Sequence, residues 1–204
     1  MKAPILLALT ALALLGAPPP HIVSLTPASA AGSTLRVTIE GSGFDASAST
    51  AEVAEPGGRV IARGTIRERA ASRLVATFSL AGVSPGRYDV RVSNPDAPSS
   101  PATLTLTGEV AITPARGRPG QPFTYTGRGF TGNAGVTTHM QGPDGLEWQA
   151  KRYGTSPEGT FEREISSGEF VPGTYAVWAM DDRTQITSAK ATFEVVAAPR
   201  PPAP

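Results

Sequence analysis

Apolar and polar side chains alternate along most of the chain from His21 onward. Residues 35–40 are typical, because Leu35, Val37 and Ile39 are separated by charged or hydroxyl-bearing side chains. A period of two predicts half-buried β-strands. In the first half we predict seven strands, at residues 21–25, 35–40, 52–54, 60–62, 74–80, 88–92 and 102–106.

The second half shows the same alternation. The turn Pro143-Asp144-Gly145 predicts a hairpin between residues 136–141 and 146–153, as Pro56-Gly57-Gly58 does in the first half. Tyr175, Val177 and Ala179 are expected to point inward. Further strands are predicted around residues 123–125, 161–165 and 191–195.

Three short motifs occur twice in the same order. Thr-Pro lies at 26–27 and 113–114, Gly-x-Gly-Phe at 41–44 and 127–130, and Pro-Gly-x-Tyr-x-Val at 85–90 and 172–177. Three motifs that share one offset of 86 to 87 positions indicate a duplicated domain. A repeat of about 90 residues is the size of an immunoglobulin domain. We therefore predict an all-β protein of two tandem immunoglobulin-like (Greek-key) β-sandwiches, at residues 18–107 and 108–197.

The motifs of the first repeat resemble those of the IPT/TIG family of immunoglobulin-like domains. The resemblance lies in residues 21–27 (HIVSLTP), 37–44 (VTIEGSGF) and 85–96 (PGRYDVRVSNPD). The second repeat keeps all three motifs but has Asp181-Asp182-Arg183-Thr184 where the first has Asn-Pro-Asp, so it resembles IPT/TIG or a related bacterial Ig-like family. The resemblance implies the sandwich fold and does not specify a ligand.

The repeated tyrosine has a structural explanation. A tyrosine that follows Pro-Gly and precedes an inward valine is placed like the tyrosine corner of Greek-key sandwiches. We expect the hydroxyl groups of Tyr88 and Tyr175 to bond nearby backbone while their rings pack inward.

The two ends of the chain differ from the repeats. Residues 1–17 contain Lys2 and an apolar run from Ile5 to Leu15, which is too short to span a bilayer but typical of a secretory signal peptide. The run is followed by three prolines, which end a helix. Residues 198–204 form a Pro-rich tail expected to be extended. We predict export to the periplasm, the cell surface or the medium of a bacterium, with the signal peptide cleaved and no integral membrane span.

Charge and composition exclude several partners. The chain has 18 basic and 17 acidic side chains, so it lacks the basic excess that binds nucleic acid. Some eukaryotic IPT-type domains bind DNA, but the even charge and the signal segment argue against that role. The chain has no cysteine, which excludes disulfides and thiolate chemistry.

The sequence shows no catalytic or metal-binding pattern. The Gly-x-Gly pairs are followed by Phe44-Asp45 and Phe130-Thr131 rather than by a third glycine and a helix, so they predict turns and not phosphate loops. His21 and His139 lie in different repeats, and a zinc site needs clustered ligands. Asp181-Asp182 lies in a predicted turn without the alternating ligands of a calcium loop. We predict no enzyme activity, cofactor or metal.

One difference between the repeats suggests a binding surface. The outward positions of one strand are Asp89, Arg91 and Ser93 in the first repeat. The aligned positions in the second repeat are Ala176, Trp178 and Met180. Large apolar side chains are costly on a solvated face unless something covers them. We predict a contact face with Trp148, Tyr153, Trp178 and Met180; alternatively, the chain's own loops or the first domain cover Trp178.

The sequence therefore predicts an exported, non-catalytic module for protein binding, adhesion or spacing in the cell envelope or outside the cell. Its partner would be a protein or another envelope component, or a glycan. The alternative is a carbohydrate-binding module in which Trp148, Trp178 and Tyr153 form a stacking platform.

Overall fold

A computed structural model describes residues 19–95 and 97–197. The predicted signal segment, the Pro-rich tail and Asp96 lie outside the described residues. Within the described ranges no helix is long and apolar enough to cross a membrane.

The first repeat forms ten strands in two sheets. One sheet has the order β1-β3-β7-β6, and the other has the order β2-β10-β8-β4-β5 with β9 paired to β8. The strands are β1 (His21–Thr26), β2 (Ser29–Ala31), β3 (Thr34–Ser42), β4 (Thr50–Ala54), β5 (Val60–Arg63), β6 (Thr65–Ala70), β7 (Arg73–Ser79), β8 (Gly86–Asn94), β9 (Ala97–Pro98) and β10 (Ala102–Thr107).

The second repeat forms eight strands in two further sheets. Their orders are β11-β13-β16 and β12-β18-β17-β14-β15. The strands are β11 (Glu109–Thr113), β12 (Arg116–Gly117), β13 (Phe123–Arg128), β14 (Gly135–Gln141), β15 (Lys151–Gly154), β16 (Phe161–Ile165), β17 (Gly173–Asp181) and β18 (Ala191–Val195). The predicted fold class, two tandem immunoglobulin-like sandwiches, is confirmed.

The strand predictions were incomplete in the first half and partly wrong in the second. The first half has three strands that were not predicted, the short β2 and β9 and the edge strand β6. Alternation did not indicate β6 because Arg67, Glu68 and Arg69 are all exposed. The predicted strand at residues 146–153 is regular only from Lys151 to Gly154. Before Lys151, this segment joins β14 by a single isolated bridge, between Gln141 and Glu147.

The two cores differ in composition. Aliphatic side chains such as Val37, Ile39 and Leu74 fill the first core, together with Phe44 and Phe78. The second core contains seven buried aromatic rings, which are Phe123, Tyr125, Phe130, Phe161, Phe170, Tyr175 and Phe193. Tilted, stacked and edge-to-face contacts with centroid distances of 4.7–6.2 Å connect these rings. Both phenylalanines of the Gly-x-Gly-Phe motifs, Phe44 and Phe130, are buried in these cores.

The glycines of the repeated motif are required by geometry. Gly43 and Gly129 have φ values of 70° and 71°, a left-handed conformation that favours glycine. A Cβ on Gly41 would overlap the backbone oxygen of His21, and one on Gly127 would overlap the ring of Phe161. The motif therefore makes a tight turn next to a neighbouring strand.

The residue after each motif is held by a side chain from the end of another strand. The backbone N–H of Asp45 donates to Asn94 Oδ1 at 3.1 Å, and the N–H of Thr131 donates to Asp181 Oδ2 at 2.6 Å. Asn94 and Asp181 occupy equivalent positions at the ends of β8 and β17. The second repeat thus departs from the Asn-Pro-Asp sequence but keeps an acceptor oxygen at this position.

Both tyrosine corners are confirmed. The hydroxyl of Tyr88 donates to the backbone oxygen of Ser84 at 2.8 Å, and that of Tyr175 donates to the backbone oxygen of Val171 at 3.1 Å. Each bond ties β8 or β17 to the loop that precedes it.

Removing the Asp181 carboxylate should destabilise the second domain. Asp181 is fully buried, and its oxygens also accept the N–H groups of Arg183 and Thr184 at 3.1 and 3.0 Å. Asp181→Ala leaves these donors without their acceptor, so we expect a loss of about 3 kcal/mol in the free energy of unfolding. Denaturant titration measures it. The exposed Glu169→Ala is the control and should change stability by less than about 0.5 kcal/mol; equal effects would contradict this role for Asp181.

Candidate functional site

Trp178 and Met180 lie on the outer face of the second domain. They alternate along β17 with Val177 and Ala179, which are fully buried in the core. Both outward side chains are half-buried. The predicted outward orientation of these two residues is therefore confirmed.

Two side chains cover much of the Trp178 ring. His139, directly opposite on β14, stacks nearly parallel to it with centroids 5.3 Å apart. Lys190 Nζ lies 4.2 Å from the ring centroid, a distance at which a cation is attracted to the π system. His139 is fixed by Glu147 at 2.6 Å, and Lys190 donates to Gln141 at 3.1 Å. Because Lys190 lies in the loop before β18, the chain's own loop supplies part of the cover.

Trp148 and Tyr153 lie elsewhere. Tyr153 is opposite Val136 in the β14–β15 ladder, so it faces the inside of the sandwich. Trp148 packs edge-to-face against Phe170, with centroids 5.1 Å apart, and remains 39% exposed. The four predicted contact residues therefore do not share one face.

The predicted stacking platform for a glycan, formed by Trp148, Tyr153 and Trp178, was wrong. Trp178 is on the opposite side of the sheet from Trp148 and Tyr153, so the three rings do not form one stacking surface. The prediction failed because residues 146–150 are not a regular strand, and alternation does not determine where their side chains point.

Trp148 and Tyr153 instead line a cleft of about 330 Å³ in the side of the second domain. We call it the lateral cleft. Its lining includes the buried rings of Tyr125 and Phe170 and the exposed charged residues Lys151, Arg163 and Glu164. The Arg163 guanidinium lies 4.8 Å from the centroid of the Tyr153 ring, which holds it there.

The lateral cleft exists because the second domain lacks a strand that the first domain has. In the first domain the chain leaves β5 at Gly64, passes over Phe78 and continues as β6, which pairs with β7. In the second domain the chain pairs with β14 from Lys151, the equivalent of Gly64, and then turns directly into β16. Within residues 109–197, β16 pairs only with β13, so its outer edge is open.

Two core positions of the first domain have changed in the second. Ile39 and Leu74 are paired and fully buried in the first domain. When the glycine motifs are aligned, the corresponding pair is Tyr125 and Arg163. Ile39 and Tyr125 each lie two residues before the first glycine of the repeated motif, so their alignment follows from the sequence. The alignment of Arg163 with Leu74 requires the strand register.

Tyr125 has an unusual environment. Its side-chain oxygen is buried and has no hydrogen-bond partner among the described residues. Burial, followed by the nearby Tyr153 phenol, raises the pKa of Tyr125 far above its usual value, so the phenol is neutral. A buried polar group without a partner costs stability unless a ligand or water satisfies it.

A second exposed feature borders the lateral cleft. Leu146 and Val171 are 67% and 59% exposed. Leu146 lies two residues before Trp148, and Val171 directly follows Phe170, which Trp148 contacts. The loops that carry Leu146 and Val171 lie close together. They are so close at Gly173 that a Cβ added there would lie 2.5 Å from Pro143 Cβ. We call Leu146, Trp148 and Val171 the apolar patch. The equivalents of Leu146 and Val171 in the first domain are polar, Arg59 and Ser84.

Among residues 19–95 and 97–197, no three His, Asp or Glu side chains lie close enough together to hold a metal ion.

Comparison with known proteins yields remote structural similarity. No family model matches the chain, and no curated protein matches it. Three similar structures are an adhesin, InvE, of Yersinia pseudotuberculosis (13% identity over 86% of this chain and 58% of that one, TM-score 0.35), the D0-D1 domain of intimin (13%, 85% and 96%, 0.33) and latent PorU of Porphyromonas gingivalis (13%, 89% and 20%, 0.38). The chain spans less than two thirds of InvE and PorU. The TM-scores are low, and the fold is therefore assigned from the strand pairing of this chain.

The two buried tyrosines of the second domain should respond in opposite ways to loss of the hydroxyl. Tyr125→Phe removes a polar atom without a partner, so we expect unchanged or increased stability, by up to about 1 kcal/mol. Tyr175→Phe removes the bond to Val171 and should cost about 1 kcal/mol. Denaturant titration of both variants measures the difference, and an equal loss in both would show that the Tyr125 hydroxyl is satisfied.

Proposed function

We propose that this protein is an exported, non-catalytic tandem of immunoglobulin-like domains that binds a protein partner at the cell surface or outside the cell. Adhesion or spacing would then result, because the tandem of domains would hold that partner. The IPT/TIG resemblance of the first repeat supports the domain type, and the pattern of residues 1–17 supports export.

The apolar patch is the observation that carries the proposal. Interfaces are formed around aromatic and aliphatic side chains that lose contact with water on binding. Leu146, Trp148 and Val171 offer such a group, whereas the first domain has Arg59 and Ser84 at two of the equivalent positions. Trp178 is a weaker anchor, because His139 and Lys190 already cover it.

Adhesion of protein-coated beads tests the proposal. Beads carrying the wild-type protein should be retained on cells of the source organism, and Val171→Asp should reduce retention about tenfold, since a charge would be buried at the contact. The matched control is Ser84→Asp, the equivalent change in the first domain, which should leave retention unchanged. Both side chains can change without loss of the tyrosine-corner bond, because that bond uses backbone oxygens.

Equal retention of wild-type and Val171→Asp beads would contradict the use of the apolar patch. Export is checked by fractionating the source cells. The protein should appear outside the cytoplasm with a mass that shows removal of the N-terminal segment, and recovery of the full-length chain in the cytoplasm would contradict the proposal.

A further inference from the structure

The lateral cleft has features that the fold alone does not require. A sandwich is more stable when its side is closed by apolar packing, as β6 and Leu74 close it in the first domain. The second domain has an opening there, with a partnerless phenol at Tyr125 and the cationic side chain of Arg163. These groups are suited to a ligand that supplies hydrogen bonds and negative charge.

The size and lining of the lateral cleft indicate a small molecule. A volume of about 330 Å³ is at the small end of the range for small-molecule sites. Aromatic rings line it, with Trp148 partly exposed at one side. Rings of this kind pack against the C–H faces of a sugar, while the Tyr125 hydroxyl is able to bond one of its hydroxyl groups. The Thr138 hydroxyl donates to the backbone oxygen of Lys151, so it offers a ligand only an acceptor.

A peptide strand is a poorer fit. The open edge of β16 has three successive charged residues, Glu162, Arg163 and Glu164, and charged side chains along an edge disfavour pairing with another strand. The lateral cleft is therefore better suited to a ligand bound by its side chains than to a peptide that pairs with the backbone of β16.

The charges at the mouth define the ligand further. Lys151 and Arg163 point to the inner side of their sheets, as shown by their pairing with Thr138 and Tyr125. Neither takes part in an ion pair within the described residues. Glu164 also lines the lateral cleft, but it alternates with Arg163 along β16, so the two side chains leave opposite faces of the strand. The cleft lining therefore carries two cations and one carboxylate.

We propose that the lateral cleft binds a carboxylate-bearing sugar ring, a hexuronate unit of an acidic glycan. The ring packs against the aromatic lining, a ring hydroxyl bonds Tyr125, and the carboxylate lies between Lys151 and Arg163. This site differs from the predicted platform of three rings, because Trp178 is not part of it. It is also distinct from the proposed protein contact at the apolar patch, except that Trp148 belongs to both.

Fluorescence titration of the full-length protein tests this proposal. The chain has two tryptophans, so Trp178→Phe leaves Trp148 as the only tryptophan reporter. The probes are galacturonate and glucuronate, each compared with its neutral parent sugar. We expect saturable quenching by at least one hexuronate, with a dissociation constant on the order of 1 mM, and about tenfold weaker binding of the neutral parent.

Variants in the same background assign the contacts. Tyr125→Phe should weaken hexuronate binding about fivefold without lowering stability. Lys151→Gln combined with Arg163→Gln should abolish the preference for the acid over the neutral sugar. Lys190→Gln, on the outer face, removes a cation from the same domain and should leave binding unchanged. Thermal melting confirms that each variant is folded.

Three outcomes would overturn the proposal: no saturable change with either hexuronate, equal binding of the neutral sugars, or an unchanged affinity of Tyr125→Phe. The titration uses purified protein and free sugars, so failure here leaves bead retention through the apolar patch unaffected. Loss of retention in Val171→Asp with normal sugar binding would likewise separate the two sites.

Discussion

Each sandwich has to bury the inner faces of two sheets, and the sides between the sheets are the most difficult places to close. The first domain closes one side by moving its chain from one sheet to the other at Gly64, the residue between β5 and β6. Only a residue without a side chain fits there, because a Cβ would lie 2.8 Å from the ring of Phe78. The second domain has Lys151 at the same position, and its chain continues there as β15, which pairs with β14.

This single difference accounts for the opening in the side of the second domain. Without a counterpart of β6, the β16 edge is open, and the position of Leu74 is taken by Arg163. Phe170, which lines this opening, packs against Tyr175, and Tyr175 packs against Phe193, so the aromatic core continues from the wall of the cleft. The outer face changed separately: the paired charges of Asp89 and Arg91 are replaced by a covered Trp178.

The sequence predicted the fold well because the information that determines it is local and repeated. Alternation identified most strands, and the paired motifs identified turns that only glycine can form and tyrosines that bond their own loops. The site was harder to predict. Trp148 lies in a segment without regular hydrogen bonding, where period-two alternation has no meaning, and the opening beside Arg163 depends on a strand that is missing rather than on a residue that is present. Tyr125 was aligned with Ile39 from the sequence, but its partnerless hydroxyl is a property of the packed structure.

Hydrogen exchange of the backbone amides tests the open edge of β16 most directly. In β7 both edges are paired, with β3 and β6, so its amides should be protected along the strand. In β16 only the amides directed at β13 should be protected, and the alternate amides should exchange rapidly with solvent. Uniform protection along β16, equal to that of β7, would show that another segment covers this edge and would contradict the account of the lateral cleft.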